Sequence, residues 1–325
     1  GGLVVAVLWW FWFASGDPER LLAWHTLFMV MTMIVVGRGV RGGLEKAVRF
    51  LVPALFVLLI MLDGYALAGG AFDQGLRFLF TPDFSKITAN GVLIAMGHAF
   101  FTLSLGMGAI MVYGSYMPKK TSITASALLI VIMDTFVALL AGLAIFPLVF
   151  GNGLEPGAGP GLIFQTLPIA FGAMTGGQLF GTLFFVLLVF AAWTSSISLV
   201  EPAVAWLVEN RGLKRTHAAA WIGFGCWLLG LGTVFSFNLL SGEEYQLFGK
   251  TFFDLFDFIV VNLMMPIGGI LVAVFAGWMM KRQYSQDELY GGKPAAGYTA
   301  WRILVRYFAP LVLVGIFIDM LRQAI

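Results

Sequence analysis

Apolar residues in this chain gather into long, unalternated runs at roughly 21–38, 51–69, 91–116, 122–150, 178–208, 217–236, 252–280 and 303–322, separated by short polar stretches. An α-helix rises about 1.5 Å per residue, so ~20 apolar residues cross the ~30 Å hydrocarbon layer of a bilayer. Eight such runs predict an all-α integral membrane bundle, since barrel strands would alternate apolar and polar residues. One run differs from the rest. Residues 91–116, GVLIAMGHAFFTLSLGMGAIMVYGSY, carry Thr102, Ser104, Gly106 and Gly108 near their middle. Gly lowers helix stability by ~1 kcal/mol relative to Ala. A backbone group freed in hydrocarbon costs several kcal/mol unless it lines a cavity or is buried in protein. The pattern predicts a helix interrupted at mid-membrane, a construction from which ion and substrate sites are made. The alternative is a close helix–helix contact through small residues.

Composition agrees with a membrane setting. The 325 residues are 60% hydrophobic and 11% charged, with a mean hydropathy of +0.92, whereas soluble domains carry ~25% charged residues. A net charge of +2 suggests no nucleic-acid surface. Cys226 is the single cysteine, which excludes an intrachain disulfide or thiolate cluster. His25, His98 and His217 have no partner at metal-ligand spacing, and no P-loop, dinucleotide fingerprint or catalytic triad is present. These observations speak against an enzyme. Placing the connection after the first run in the cytoplasm puts fourteen of the 19 Lys and Arg inside and leaves Arg20, Arg77, Lys86, Lys250 and Arg322 outside. The 91–116 run then passes from outside to inside. The connection 151–177 lies outside, where Ile163, Phe164, Leu167 and Ile169 predict a segment folded back as a lid, with an interfacial segment as the alternative. The first stretch, GGLVVAVLWWFWF, is too short to cross and has no charged flank. It reads as the outer end of a helix that begins upstream, or as an interfacial aromatic segment.

Polar side chains at membrane depth need partners, which makes them candidates for function. Asp134 lies close to midplane in LIVIMDTFVALLAG, and no Lys or Arg sits at comparable depth. A bound Na⁺ or a titrating proton would answer its charge; a protonated Asp bonded to a neighbouring helix is the alternative. Hard cations take oxygen ligands, and Thr102 offers a hydroxyl and a carbonyl. A second oxygen cluster is AAWTSSIS at 191–198, where Thr194, Ser195 and Ser196 face different sides of a helix. Such hydroxyls can instead bond back to the carbonyl four residues earlier. Asp254 and Asp257 open the 252–280 run on one helical face, and Glu209 closes the 178–208 run beside Arg211. They are either solvated helix ends or gates at the two mouths.

The segments GHAFFTLSLGMGAIMVYGSYMPKK, AGPGLIFQTLPIAF, AAWTSSISLVEPAVAWLVE and FFDLFDFIVVNLMMPIGG resemble, in order and spacing, the neurotransmitter:sodium symporter family from about residue 21 onward. The resemblance implies a LeuT-type inverted-repeat bundle covering about helices 4–11. In it, residues 1–20 would be a remnant of helix 3, 21–69 the end of the first repeat, 91–280 the second repeat and 303–322 the final helix. It also implies that Thr102 and Asp134 belong to a first sodium site, where many relatives carry Asn in place of the Asp. Ala191, Thr194 and Ser195 would belong to a second sodium site. Phe101, Leu103, Ser104, Met107, Ser195 and Leu199 would line the substrate pocket, with Phe101 as an aromatic lid. Asp257, beside Asp254, would form the acidic half of the outer gate, and Tyr116 with Glu209 part of the inner one. The arginine partners of both gates and the other halves of the ion sites are expected in helices upstream of this chain. The implied function is Na⁺-coupled import of a hydrophobic or aromatic amino acid across the cell membrane by alternating access, with chloride replaced by the Asp134 carboxylate. A proton-coupled carrier of the same fold, or a non-transporting membrane receptor or scaffold, are the rivals.

Overall fold

A computed structural model describes residues 17–39, 45–118, 121–156, 162–173, 175–290 and 296–324. The expectation for residues 1–16 lies outside the described residues, as do 157–161 and 174 of the outer connection. In chain order the helices are α1 (Pro18–Gly37), α2 (Glu45–Ala68), α3 (Phe72–Phe80), α4 (Ala89–Thr102), α5 (Ala109–Ser115), α6 (Ile123–Gly151) and α7 (Leu167–Ala173). They continue as α8 (Gly177–Arg211), α9 (Arg215–Phe235), α10 (Phe252–Phe258), α11 (Met265–Val274), α12 (Arg282–Tyr290), α13 (Ala296–Ile303) and α14 (Ala309–Ala324). Wider π-helical turns at Ile259–Met264, Phe275–Met279 and Leu304–Phe308 join or extend α10, α11, α13 and α14. Among the described residues, seven helices are long and apolar enough to cross a membrane, two of them continuous through these turns at Phe252–Met279 and Gly297–Asp319. Their outer faces are apolar: Leu128 is 62% exposed and Ile132 55%. Bulky hydrocarbon laid open along a whole helix is stable against lipid, not water.

The chain divides into two compact units, residues 1–82 with 136–251 and residues 83–135 with 252–325. In the first, α1 runs along α9 and α8, and α2 packs on α8. Lipid is as apolar as the helix faces, so packing and interhelical hydrogen bonds hold the bundle. Trp227 Nε1 donates to Thr26 Oγ1 at 2.9 Å, Thr32 and Ser196 hydroxyls meet at 3.1 Å, and Arg215 Nε donates to the Val36 carbonyl at 2.8 Å. Leu59, Leu62, Ala66, Ala144, Leu148, Val149, Leu167, Phe171 and Phe184 form a buried apolar cluster in it. The outer segment 162–173 contributes Leu167, fully buried, and Phe171 to that cluster. Ile169 of the same segment is exposed. The short helix α3 falls where the apolar pattern indicates only a loop. Its polar residues face outward, while Gly75 comes so close to α6 that a Cβ there would meet the Pro147 ring at 2.5 Å.

In the second unit α4 and α11 both pack on α14, and the π turns 275–279 and 304–308 lie against each other. The last apolar run begins earlier than its hydrophobicity indicates, at Gly297 instead of 303, because Arg302 and Arg306 dilute its inner end.

Candidate functional site

The run 91–116 is two helices with an interruption at 103–108. Helix α4 closes with Leu103 N–H on the Ala99 carbonyl, Ser104 N–H on Phe101 and Leu105 N–H on Phe100. Ser104 (φ 53°), Gly106 (φ 80°) and Gly108 (φ 84°) then take left-handed conformations. Such a φ costs a residue bearing a Cβ ~1–2 kcal/mol, so Ser104 stores strain that the two glycines avoid. Gly106 also meets α11 backbone to backbone. A Cβ on Gly106 would lie 2.5 Å from the Met265 carbonyl oxygen, and one on Gly268 would lie 2.3 Å from the Gly106 carbonyl oxygen. The sequence TLSLGMG thus breaks the helix, and PIGG on α11 is the surface that receives it. The Ala99, Phe100 and Phe101 carbonyls are taken up by these closing bonds, while the first amides of α5 stand at a helix start, where amides have no partner within the helix.

Thr102, the last residue of α4, donates its hydroxyl to Asp134 Oδ1 on α6 at 3.0 Å. The structure therefore brings these two sequence candidates together. The hydroxyl proton is spent on the carboxylate. The hydroxyl lone pairs and the second carboxylate oxygen remain as acceptors. One full negative charge and neutral oxygens suit a monovalent hard cation. Within the same unit Phe101 is half-exposed at the end of α4, and Leu103, Ser104 and Met107 are half-buried in the interruption.

On α8 of the first unit, Thr194 donates to the carbonyls of Phe190 at 3.1 Å and Ala191 at 2.9 Å. The hydroxyl proton is occupied within the helix, but its lone pairs can still face a cation. Ser196 bonds the Trp193 carbonyl and turns to Thr32 of α1. Ser195 and Leu199 are exposed on α8, and Ala191 is half-buried. The three hydroxyls in succession divide between faces, as a helix requires. Asp254 and Asp257 are exposed on α10, and Glu209 is exposed near the end of α8. Tyr116 caps α5 and is half-buried.

One charged pair was not visible in the apolar pattern. Glu201 is 1% exposed inside α8, and Arg215 Nη2 at the start of α9 meets its Oε2 at 2.5 Å. Arg215 also donates Nε to the Val36 carbonyl at the end of α1, so one guanidinium at the start of α9 ties the end of α1 to the interior of α8. The signal available was a carboxylate within a membrane run, fourteen residues before an Arg in the sequence.

A polytopic helical bundle with an interrupted helix beside a mid-membrane carboxylate is the class defined by this geometry. The model of the sodium:neurotransmitter symporter family matches residues 17–324, and the chain belongs to that family. An uncharacterised sodium-dependent transporter of Bacillus subtilis, YhdH, is 38% identical over 307 residues, covering 94% of this chain and 68% of the relative. A second, from Haemophilus influenzae, is 34% identical over 308 residues, covering 94% of this chain and 66% of its own length. The chain therefore spans about two thirds of these relatives. The crystal structure of MhsT in complex with L-phenylalanine superposes with a TM-score of 0.84 at 38% identity, over 96% of this chain and 70% of that one. The LeuT-type fold and the multi-pass membrane location follow from this likeness and from the seven apolar helices.

Proposed function

We propose that the protein is a sodium-coupled symporter that imports a large apolar amino acid by alternating access, and that it is not an enzyme. The observation that carries this reading is the Thr102–Asp134 contact at the mouth of the interrupted helix. The carboxylate oxygens of Asp134 and the hydroxyl of Thr102 are the hard oxygen donors that a monovalent cation such as Na⁺ takes. Sodium dependence is in the names of the bacterial relatives, and the MhsT structure holds L-phenylalanine. Asp134 with Thr102 forms the first sodium site. Ala191, Thr194 and Ser195 give backbone and hydroxyl oxygens to a second. Phe101, Leu103, Ser104, Met107, Ser195 and Leu199 line the pocket, and none is charged, so an ionised substrate side chain would be buried without a partner. Asp257 with Asp254 serves the outer gate, and Tyr116 with Glu209 the inner gate. Asp134 supplies a permanent negative charge beside the ion, so chloride is not required.

The test is uptake of labelled leucine or phenylalanine into proteoliposomes of the full-length protein. Accumulation is expected with an inward Na⁺ gradient, in chloride or gluconate alike. Equal accumulation with choline in place of Na⁺ overturns the reading.

A further inference from the structure

At the inner end of the second unit three guanidinium groups are held by aromatic side chains, two over rings and one on a phenol hydroxyl. Arg306 lies over the Trp278 ring at 4.1 Å, and Trp278 Nε1 donates to the Arg306 carbonyl at 3.0 Å. Its position is fixed by backbone contact, because a Cβ on Gly277 would lie 2.8 Å from the Arg306 Cα. One turn earlier, Arg302 Nη1 donates to the hydroxyl of Tyr298 at 2.9 Å, and the Tyr298 side chain is 1% exposed. Arg282 stands 5.4 Å from the centre of the same tyrosine ring, while its carbonyl and Ser285 complete the bonding of the phenol.

Among the described residues none of the three makes an ion pair, although Asp287 and Glu288 lie on α12, the helix that Arg282 opens. The Nε of Arg306 is buried with no acceptor. Cation–π contacts orient guanidinium groups but leave their in-plane N–H donors open. Arg282 is exposed and Arg302 and Arg306 are partly exposed, so the open N–H donors of the three guanidinium groups can be reached by an oxygen anion.

The surroundings identify the source. Met279 is 71% exposed and Leu304 52%, and both lie in membrane-spanning segments beside the arginines. The charge distribution puts this end on the cytoplasmic side, where anionic headgroups concentrate. We propose that Arg282, Arg302 and Arg306 form a docking site for the phosphate of an anionic phospholipid in the inner leaflet, whose acyl chains lie along the exposed apolar faces of the 275–279 and 304–308 turns. Phosphate is the group recognised, and the lipid is its carrier.

The test is native mass spectrometry of the full-length protein exchanged from detergent into mixtures of phosphatidylglycerol and phosphatidylcholine. A basic residue near an anionic surface contributes about 1 kcal/mol, or about fivefold in affinity. Wild type is expected to retain phosphatidylglycerol in preference to phosphatidylcholine, and the double variant Arg302→Gln/Arg306→Gln to bind it roughly 25-fold more weakly. Should that variant fail to fold, Arg282→Gln, changed at an exposed side chain, is expected to lose about fivefold by the same cited increment. Equal retention of both lipids by wild type, undiminished binding in the variants, or displacement of the lipid by millimolar inorganic phosphate each overturns the proposal.

Discussion

Replacing Glu201 with Gln removes a charge while keeping size and an oxygen acceptor, and so isolates the electrostatic part of the Glu201–Arg215 pair. The carboxylate side chain is 1% exposed and the guanidinium 23%, so neither charge has much water to fall back on. Breaking one side of a buried pair costs ~3–5 kcal/mol, chiefly because the survivor is left uncompensated. Arg215 retains its bond to the Val36 carbonyl and part of its hydration, which puts the expected loss at the lower end, about 3 kcal/mol. At about 2 °C per kcal/mol for a chain larger than a typical single domain, thermal unfolding in detergent should begin roughly 6 °C lower. The informative measurement is the cycle with Arg215→Gln. Removing both charges should cost less than the sum of the single losses, because the second change relieves the charge exposed by the first. Strictly additive losses, or a Glu201→Gln protein as stable as wild type, would show that the pair carries no coupling and the argument from burial is wrong.

Gly106→Ala puts a methyl 2.5 Å from the Met265 carbonyl oxygen at φ 80°, and should cost ~1–2 kcal/mol of backbone strain plus ~1–3 kcal/mol of overpacking. The expected readout is lowered thermal stability together with abolished uptake; wild-type values in both would contradict the close approach. Asp134→Asn should weaken the apparent Na⁺ affinity of uptake or make transport respond to added chloride, and an unchanged response to both ions would remove Asp134 from the first site. Met107→Phe should narrow the pocket and penalise the bulkiest substrates most, read as competition by Trp, Tyr, Phe and Leu against labelled leucine. Effective competition by Glu, Lys or Gly with none from Leu or the aromatics would refute an apolar pocket.

Helix existence was legible because length and apolarity are decided residue by residue. The runs 21–38, 122–150 and 217–236 end within a few residues of α1, α6 and α9. The interruption was legible too, since Ser104, Gly106 and Gly108 stand where an uninterrupted span would carry bulky side chains, and they take the left-handed angles. What receives the interruption was not legible. That Gly106 meets Met265 and Gly268 depends on a contact some 160 residues away in sequence, which no local pattern encodes. The π turns at 259–264, 275–279 and 304–308 were invisible for a similar reason. An extra residue in a helical turn is stabilised by the surface it packs on, not by local propensity. Helix α3 was missed because nine residues with one apolar face resemble a loop when judged by average hydrophobicity. Depth in their runs marks both Thr102 and Asp134, which hydrogen-bond in the structure, whereas Glu201 is an ordinary polar residue of its run until the fold sets Arg215 beside it.

The central claim is coupling, and it is tested most directly by following labelled Na⁺ and labelled leucine together in the same proteoliposomes at a fixed membrane potential, with wild-type full-length protein and Asp134→Ala. The account predicts that leucine accelerates Na⁺ entry, that dissipating the Na⁺ gradient releases accumulated leucine, and that Asp134→Ala loses both effects. Leucine accumulation that persists with no accompanying Na⁺ flux would contradict it.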